Sequence, residues 1–136
     1  MTDEGLKGNE KIEQYIEMLK AEPSEELLAV TLSSVRRRMQ AGGQMIVPVD
    51  VGADGGAQIS AIQLENGEKY LVAFTSFEEE LMGANQVMST FLSDISQLLD
   101  LALKEDSVKG LLINPWNCTL KLDKNLLRII KGADTL

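Results

Sequence analysis

The spacing of apolar residues changes at Gly42-Gly43, and this change constrains the fold more than any other feature of the sequence. Before the two glycines, two segments carry apolar residues at a spacing of about 3.6, which is typical of helices, and Pro23 separates them. After the glycines, short segments that are continuously apolar or alternate with a period of about 2 predict β-strands. The sequence therefore predicts an N-terminal helix pair followed by a sheet.

Strand and helix signals alternate after residue 43. Asn66-Gly67 predicts the turn of a hairpin, and residues 86–90 predict a short strand between two helices. Helices placed between strands favour one mixed sheet of about five to six short strands with helical cover, an α/β (α+β) fold. The length of 136 residues fits one compact domain, within which we distinguish a helical segment, 1–43, from an α/β part, 44–136.

Four local signals predict where elements begin or end. Asn9, or the turn before it, is expected to cap the first helix, and Asp123 is the expected N-cap of the last helix. Gly132 is expected to close that last helix. Pro48 predicts a strand end or an edge strand, because proline has no N–H to donate to a neighbouring strand.

The residue inventory excludes several kinds of catalytic and metal site. The chain has no histidine, so a Ser-His-Asp triad, a Cys-His pair and a His-ligated metal cannot be built. Cys118 is the only cysteine, which excludes an intrachain disulfide and a multi-cysteine zinc site. No spacing places a recognisable pair of carboxylates for acid–base work. We therefore predict a protein without enzymatic activity, metal or cofactor.

Three features predict a cytoplasmic protein. A lone cysteine suits a reducing compartment. Residues 1–5 lack the basic and apolar regions of a secretory signal. No apolar run approaches the ~18–20 residues that span a bilayer, so we expect no membrane insertion.

The chain is acidic, with a formal net charge of -8 at pH 7. A surface that binds duplex nucleic acid needs net positive charge to release counterions, so we predict no nucleic-acid binding. Arg36-Arg37-Arg38 departs from the acidic balance. The triplet either meets the negative end of its own helix dipole or binds phosphate or an acidic partner.

The most distinctive short segment is Asn114-Pro115-Trp116-Asn117, which follows a predicted apolar strand. A loop at the carboxyl end of a strand that carries a large aromatic ring and two amides is a candidate contact for a ligand or a partner. The same segment also suits a plain turn in which Pro115 fixes φ and Trp116 folds onto the core. The sequence leaves both interpretations open.

Thr75 and Ser76 end another predicted strand and precede an acidic helix. Ser76 with Glu79, or Thr75 with Glu78, fits a capping box. The glutamates already balance the helix dipole, which argues against an anion site at this helix start. Because Thr75 and Asn114 both follow predicted strands, a small amino-acid-like ligand bound between them is a second hypothesis.

Four motifs occur in a characteristic order after residue 44: Ile46-Val47-Pro48-Val49, Tyr70 to Ser76, Gly110 to Pro115 and Leu120 to Asp123. On these motifs, residues 45–132 resemble the SseB N-terminal-domain family, which is named for an enhanced serine sensitivity phenotype. The resemblance implies a small α/β domain and no established catalysis, cofactor or partner. The N-terminal helix pair precedes residues 45–132, which carry the resemblance. It is therefore a candidate for an addition to the family's domain.

Together these features favour a non-enzymatic cytoplasmic protein-interaction or regulatory domain, with a small-ligand, amino-acid-like binding domain as the alternative. The expected partner is a protein, and a second copy of this chain is also a candidate. The candidate surfaces are residues 114–117, the helix start at Ser76 and the outer face of residues 9–40. Trp116 is the expected anchor, because aromatic side chains dominate binding energy at interfaces.

Overall fold

The computed structural model describes residues 4–51, 57–81, 89–116 and 119–132. The helices within these residues are α1 (Asn9–Ala21), α2 (Glu25–Gln40), α3 (Phe77–Leu81), α4 (Ile95–Lys104) and α5 (Lys124–Lys131), preceded by a 3-10 turn at Glu4–Leu6. The strands are β1 (Gln44–Val51), β2 (Ala57–Ile59), β3 (Ala61–Gln63), β4 (Lys69–Ala73), β5 (Ser89–Asp94), β6 (Gly110–Ile113) and β7 (Leu120–Asp123). The predicted N-terminal helix pair is confirmed as α1 and α2.

The strands of the described residues, together with the helices, confirm the mixed α/β class, but the prediction of a single sheet of about five to six strands is wrong: seven strands form two sheets. One sheet has the order β2-β1-β5, and the other has the order β3-β4-β6-β7. In the second sheet β4 and β6 are parallel, whereas the other neighbours are antiparallel. A bridge between Ile46 and Phe74 joins the two sheets. Of the strand predicted over residues 86–90, residues 89–90 belong to β5, which continues beyond the prediction to Asp94; residues 82–88 lie outside the described residues.

The hairpin of β3 and β4 turns at Asn66-Gly67, as predicted. Gly67 has a φ of 88°, which lies in the left-handed region that glycine adopts without a steric cost. The side-chain oxygen of Asn66 accepts a hydrogen bond from the N–H of Glu68 at 2.9 Å. These two local features turn the chain and bring β3 alongside β4.

Helix ends follow local sequence signals. The Asp123 carboxylate caps α5 by accepting a hydrogen bond from the N–H of Leu126 at 2.9 Å, as predicted. Gly132 ends the same helix with a left-handed φ of 89°, also as predicted. At α1 the capping residue is Gly8, in the turn before Asn9, and the Asn9 side chain makes other contacts.

Pro48 lies in the middle strand of its sheet, so the predicted strand end or edge position is wrong. Residues two apart on a strand point their backbone groups to the same side. On that side Ile46 exchanges two hydrogen bonds with Phe74, and the Pro48 carbonyl accepts one from the N–H of Ser60. On this side of β1, the neighbour therefore changes from Phe74 to β2 at Pro48. The N–H that proline lacks lies between these two pairings.

The helix pair and the two sheets share one hydrophobic core. From the helix pair it contains Ile12, Ile16, Leu32 and Val35, which are buried together with apolar residues of β1, β4, α4, β6, β7 and α5. Full burial of each such side chain contributes roughly 1.5–3 kcal/mol. A smaller cluster forms from Leu6, Ile46, Val72 and Phe74. The apolar side chains of α1 and α2 therefore pack into the same core as those of the α/β part.

Arg36 connects α2 to the end of α5. Its Nε donates to the carbonyl of Ile130 at 2.9 Å, and its Nη2 donates to the carbonyl of Ile129. The last carbonyls of a helix have no partner within the helix itself. The Arg36 guanidinium thus serves the C-terminus of α5 instead of the C-terminus of its own helix.

Candidate functional site

Thr75 and Asn114 lie side by side at the carboxyl ends of β4 and β6. The two strands are parallel and Ala73 is paired with Ile113, so the residues that follow leave the sheet at the same edge. Both Thr75 and Asn114 are fully buried. The structure thus brings together the two polar candidates that follow predicted strands.

Two hydrogen bonds join the pair. Asn114 Oδ1 accepts from the backbone N–H of Thr75 at 2.9 Å, and Asn114 Nδ2 donates to Thr75 Oγ1 at 2.9 Å. The Thr75 hydroxyl in turn donates to a carboxylate oxygen of Glu13 on α1. Asn114 has a φ of 53°, a left-handed conformation that asparagine tolerates better than most residues. The end of β4, the end of β6 and α1 are therefore held in one hydrogen-bond network.

Asn9 extends this network to β1 and α2. Its side chain is almost fully buried, and its Nδ2 donates to the carbonyl of Thr75 at 3.0 Å and to the carbonyl of Gln44 at 2.8 Å. Arg38 Nε donates to Asn9 Oδ1 at 3.1 Å. The sequence patterns missed this role of Asn9, because its partners lie between 29 and 66 residues away along the chain.

The hydrogen bonds of Thr75 and Asn114 bear on whether a ligand can bind between these two side chains. Their side chains bond to each other and to α1, and no buried side-chain nitrogen or oxygen among the described residues lacks a hydrogen-bond partner. An amino-acid-like ligand between them would have to displace these protein contacts. The Thr75–Asn114 pair is therefore a hydrogen-bonded support for the residues that follow it, 76–77 and 115–116.

These residues present two aromatic rings to solvent. Phe77, at the start of α3, is 44% exposed, and Trp116, in the turn after β6, is 45% exposed. The plain-turn interpretation requires the Trp116 ring to fold onto the core, and the structure places almost half of this residue in solvent. The Trp116 ring therefore does not fold fully onto the core.

The other candidate residues near these strand ends are Ser76, Pro115 and Asn117. Ser76 is half-buried, and its Oγ accepts a hydrogen bond from the N–H of Glu79 at 3.2 Å, which is the serine half of the predicted capping box. Pro115 is half-buried. Asn117 and Cys118 lie outside the described residues.

A cleft of about 220 Å³ lies between the start of α1 and the end of α2. Three of its lining residues are cationic and none is acidic; the lining is formed by Gly8, Lys11, Tyr15, Ser34, Arg37 and Arg38. The arginine triplet is conspicuous in the sequence, but Lys11 and Tyr15 become neighbours of Arg37 and Arg38 only through the packing of the two helices. We call this feature the basic cleft.

A family model of the SseB protein N-terminal domain matches residues 10–128 of the 136-residue chain. The chain belongs to the SseB family. The match begins within α1 and ends within α5, so the helix pair of this SseB domain is part of the matched region and does not merely precede it. No curated protein and no solved structure matches the chain.

Within residues 4–51, 57–81, 89–116 and 119–132 of this SseB domain, no group of three Cys, Asp or Glu residues is placed to hold a metal ion. No helix in the described part of the chain has both the length and the apolar character needed to cross a membrane.

Proposed function

We propose that this SseB domain is a non-enzymatic protein-interaction or regulatory domain of the cytoplasm, and that it binds a protein partner through Phe77 and Trp116. We call these two exposed residues together the aromatic edge. The observation that carries the proposal is that both exposed rings follow directly on a buried, hydrogen-bonded support, the pair of Thr75 and Asn114.

The support matters because ordering flexible groups costs free energy when a complex forms. Phe77 comes two residues after Thr75, and Trp116 comes two residues after Asn114. The two hydrogen bonds between Thr75 and Asn114 fix the points from which both loops leave the sheet. Anchors that are held in place before binding lose less conformational entropy on association. Aromatic side chains in such positions supply much of the binding energy at interfaces.

An exposed carboxylate next to Phe77 and the acidic net charge of the chain support a proposal for the chemistry of the partner. Glu78 follows Phe77 and is exposed, and the whole chain carries a net charge of -8. Complementary charge speeds association and suppresses wrong partners. The proposed partner is therefore a protein whose surface has an apolar recess with basic residues at its rim.

Two features of the chain support a role without catalysis, and a third supports a reducing compartment. The chain has no histidine, and the Thr75 hydroxyl, which bonds to a carboxylate, is fully buried and so is out of reach of a substrate. The single cysteine suits the cytoplasm, where thiols stay reduced.

The test compares capture of native cytoplasmic proteins by the wild type and by three variants with a single aromatic residue removed. Trp116→Ala and Phe77→Ala remove the aromatic edge, and Phe91→Ala is the matched control, because Phe91 is 43% exposed but lies on β5. The proposal expects a protein that is captured by the wild type and by Phe91→Ala, and lost with the other two variants.

The captured protein is then purified and titrated against the same four proteins by calorimetry. We expect Trp116→Ala to weaken its binding by about tenfold or more, as for an interface anchor. Equal binding by the wild type and by Trp116→Ala would overturn the aromatic edge. If sedimentation instead shows a dimer that Trp116→Ala disrupts, the partner is a second copy of this chain and the proposal of a different, basic partner is wrong.

A further inference from the structure

The basic cleft concentrates positive charge on an acidic protein. Lys11 lies on α1, Arg37 and Arg38 lie on α2, and the chain as a whole has a net charge of -8. Three like charges repel one another unless something opposes them, and no carboxylate is among the lining residues. The cleft is therefore a local site of attraction for an anion.

Arg38 is the fixed element of the cleft. Its Nε donates to Asn9 Oδ1 at 3.1 Å, and its Nη2 donates to the carbonyl of Gly5 at 3.0 Å. A Cβ at Gly8 would lie 3.0 Å from Arg38 Nε, and a Cβ at Gly43 would lie 2.8 Å from its Nη2, so both glycines allow the guanidinium to pack closely. A guanidinium has five N–H donors, and these two bonds leave others for a ligand.

Lys11 and Arg37 are the adjustable elements. Both are exposed, and within the described residues their side-chain nitrogens make no hydrogen bond or ion pair with the protein. Long cationic side chains of this kind can turn toward a bound anion. The cleft thus combines one cationic side chain that the protein holds by hydrogen bonds, Arg38, with two that are free to turn toward an anion, Lys11 and Arg37.

The walls of the cleft are set by contacts between the two helices. The hydroxyl of Thr31 on α2 approaches the carbonyl of Tyr15 at 3.5 Å, and the Ser34 hydroxyl is buried and donates to the carbonyl of Thr31 at 2.6 Å. Tyr15 therefore lines the cleft from a backbone that is held against α2. An aromatic ring of this kind offers an apolar face to an organic group.

We propose that the basic cleft binds a small phosphomonoester, with its phosphate on Arg37, Arg38 and Lys11 and its organic group against Tyr15. Arginine guanidinium groups match the geometry of phosphate oxygens, and a dianion offsets more of the triple charge than a carboxylate does. The volume of about 220 Å³ is below the roughly 300–1,000 Å³ of pockets for drug-sized ligands, and it exceeds what a phosphate group alone fills. This site is separate from the aromatic edge and does not depend on it.

The test is a titration of the full chain with inorganic phosphate, phenyl phosphate and acetate, followed by amide NMR shifts and calorimetry. We expect phenyl phosphate to bind more tightly than inorganic phosphate, and acetate to bind least. Shifts should centre on Gly8, Ser34 and Arg37. Lys11→Gln and Arg37→Gln should each weaken phenyl phosphate binding by about tenfold, while Lys104→Gln, which removes an exposed charge on α4, should leave it unchanged.

Three outcomes would overturn the proposal. The first is unchanged phenyl phosphate affinity in Lys11→Gln and Arg37→Gln, whose exposed positions leave the fold intact. The second is equal weakening by Lys104→Gln, which would show that total charge and not the cleft controls binding. The third is retention of the protein by vesicles of phosphatidylcholine with phosphatidylglycerol when phenyl phosphate does not bind, which would assign the cleft to a lipid surface.

Discussion

The side-chain amide of Asn114 bonds to both the backbone N–H and the hydroxyl of Thr75, so one side chain fixes the ends of two parallel strands. The two residues are 39 positions apart in the chain. Because they are fully buried, the hydrogen bonds are shielded from water and an unpaired group there is costly. The pair therefore controls both the stability of the sheet edge and the direction of the two loops that leave it.

We expect Asn114→Ala to lower the free energy of unfolding by about 2–4 kcal/mol. The substitution leaves the buried N–H of Thr75 without an acceptor and places alanine at a φ of 53°. Urea unfolding followed by circular dichroism measures the loss. Asn125→Ala is the matched control, because Asn125 is exposed on α5, and it should change stability by less than about 0.5 kcal/mol. Equal stability of the two variants would contradict the role of Asn114.

Trp116→Ala should lower the free energy of unfolding by less than about 1 kcal/mol, because Trp116 is 45% exposed. A buried tryptophan would cost about 3–5 kcal/mol. Trp116 is the only tryptophan, so intrinsic fluorescence reports on its environment alone. We expect red-shifted emission that acrylamide quenches readily. Blue-shifted, quencher-resistant emission would remove Trp116 from the aromatic edge.

Arg36→Ala should lower the free energy of unfolding by roughly 1.5–3 kcal/mol, because it removes a charged donor from the last carbonyls of α5. Arg36→Lys should recover little of this loss, since an ammonium cannot reproduce the planar fork of a guanidinium. Arg37→Ala serves as the control, because Arg37 is the exposed neighbour on the same helix. If chemical denaturation shows the same stability for Arg36→Ala and Arg37→Ala, the link between α2 and α5 is unimportant.

Gly110→Ala should lower the free energy of unfolding by at least about 3 kcal/mol. A Cβ at this position would lie 1.9 Å from the backbone oxygen of Leu122, so β6 and β7 would have to separate. Gly67→Ala gives the contrast: its Cβ would meet no atom within 4 Å, and only its positive φ opposes alanine, at a cost of about 1–2 kcal/mol. Thermal unfolding of both variants tests the difference, and a larger loss for Gly67→Ala would contradict it.

We expect a chelator to leave the melting temperature unchanged. The chain has no histidine and a single cysteine, which are the usual ligands of structural zinc. Scanning calorimetry with and without EDTA is sufficient, and a fall of many degrees in EDTA would reveal a metal that supports the fold.

Features that depend on neighbouring residues could be predicted from the sequence. The N-cap at Asp123, the helix end at Gly132 and the turn at Asn66-Gly67 each arise from chemistry within a few positions. The edge position predicted for Pro48 failed, because a proline is excluded only where a neighbour needs its N–H. Whether a neighbouring strand needs the N–H at position 48 depends on where the partner of β1 changes from Phe74 to β2. No local sequence pattern reveals that change.

In the candidate site too, only features that depend on nearby residues could be predicted from the sequence. The positions of Thr75 and Asn114 after two strands could be predicted, because strand ends are visible as apolar runs. The sequence could not predict that Asn9 bonds to Thr75, or that Lys11 and Arg37 line the same cleft. Both arrangements depend on how α1 packs against distant segments. An asparagine at the start of a helix looks the same in the sequence whether it caps that helix or binds two strands.

The bond between Arg36 and the end of α5 also sets an order of events during synthesis. The two partners are 94 residues apart, and ribosomes add roughly 5–20 residues per second. For several seconds after α2 leaves the ribosome, its apolar stripe has no α5 to cover it. The core that contains Leu32 and Val35 therefore cannot be completed until nearly the whole domain has been made.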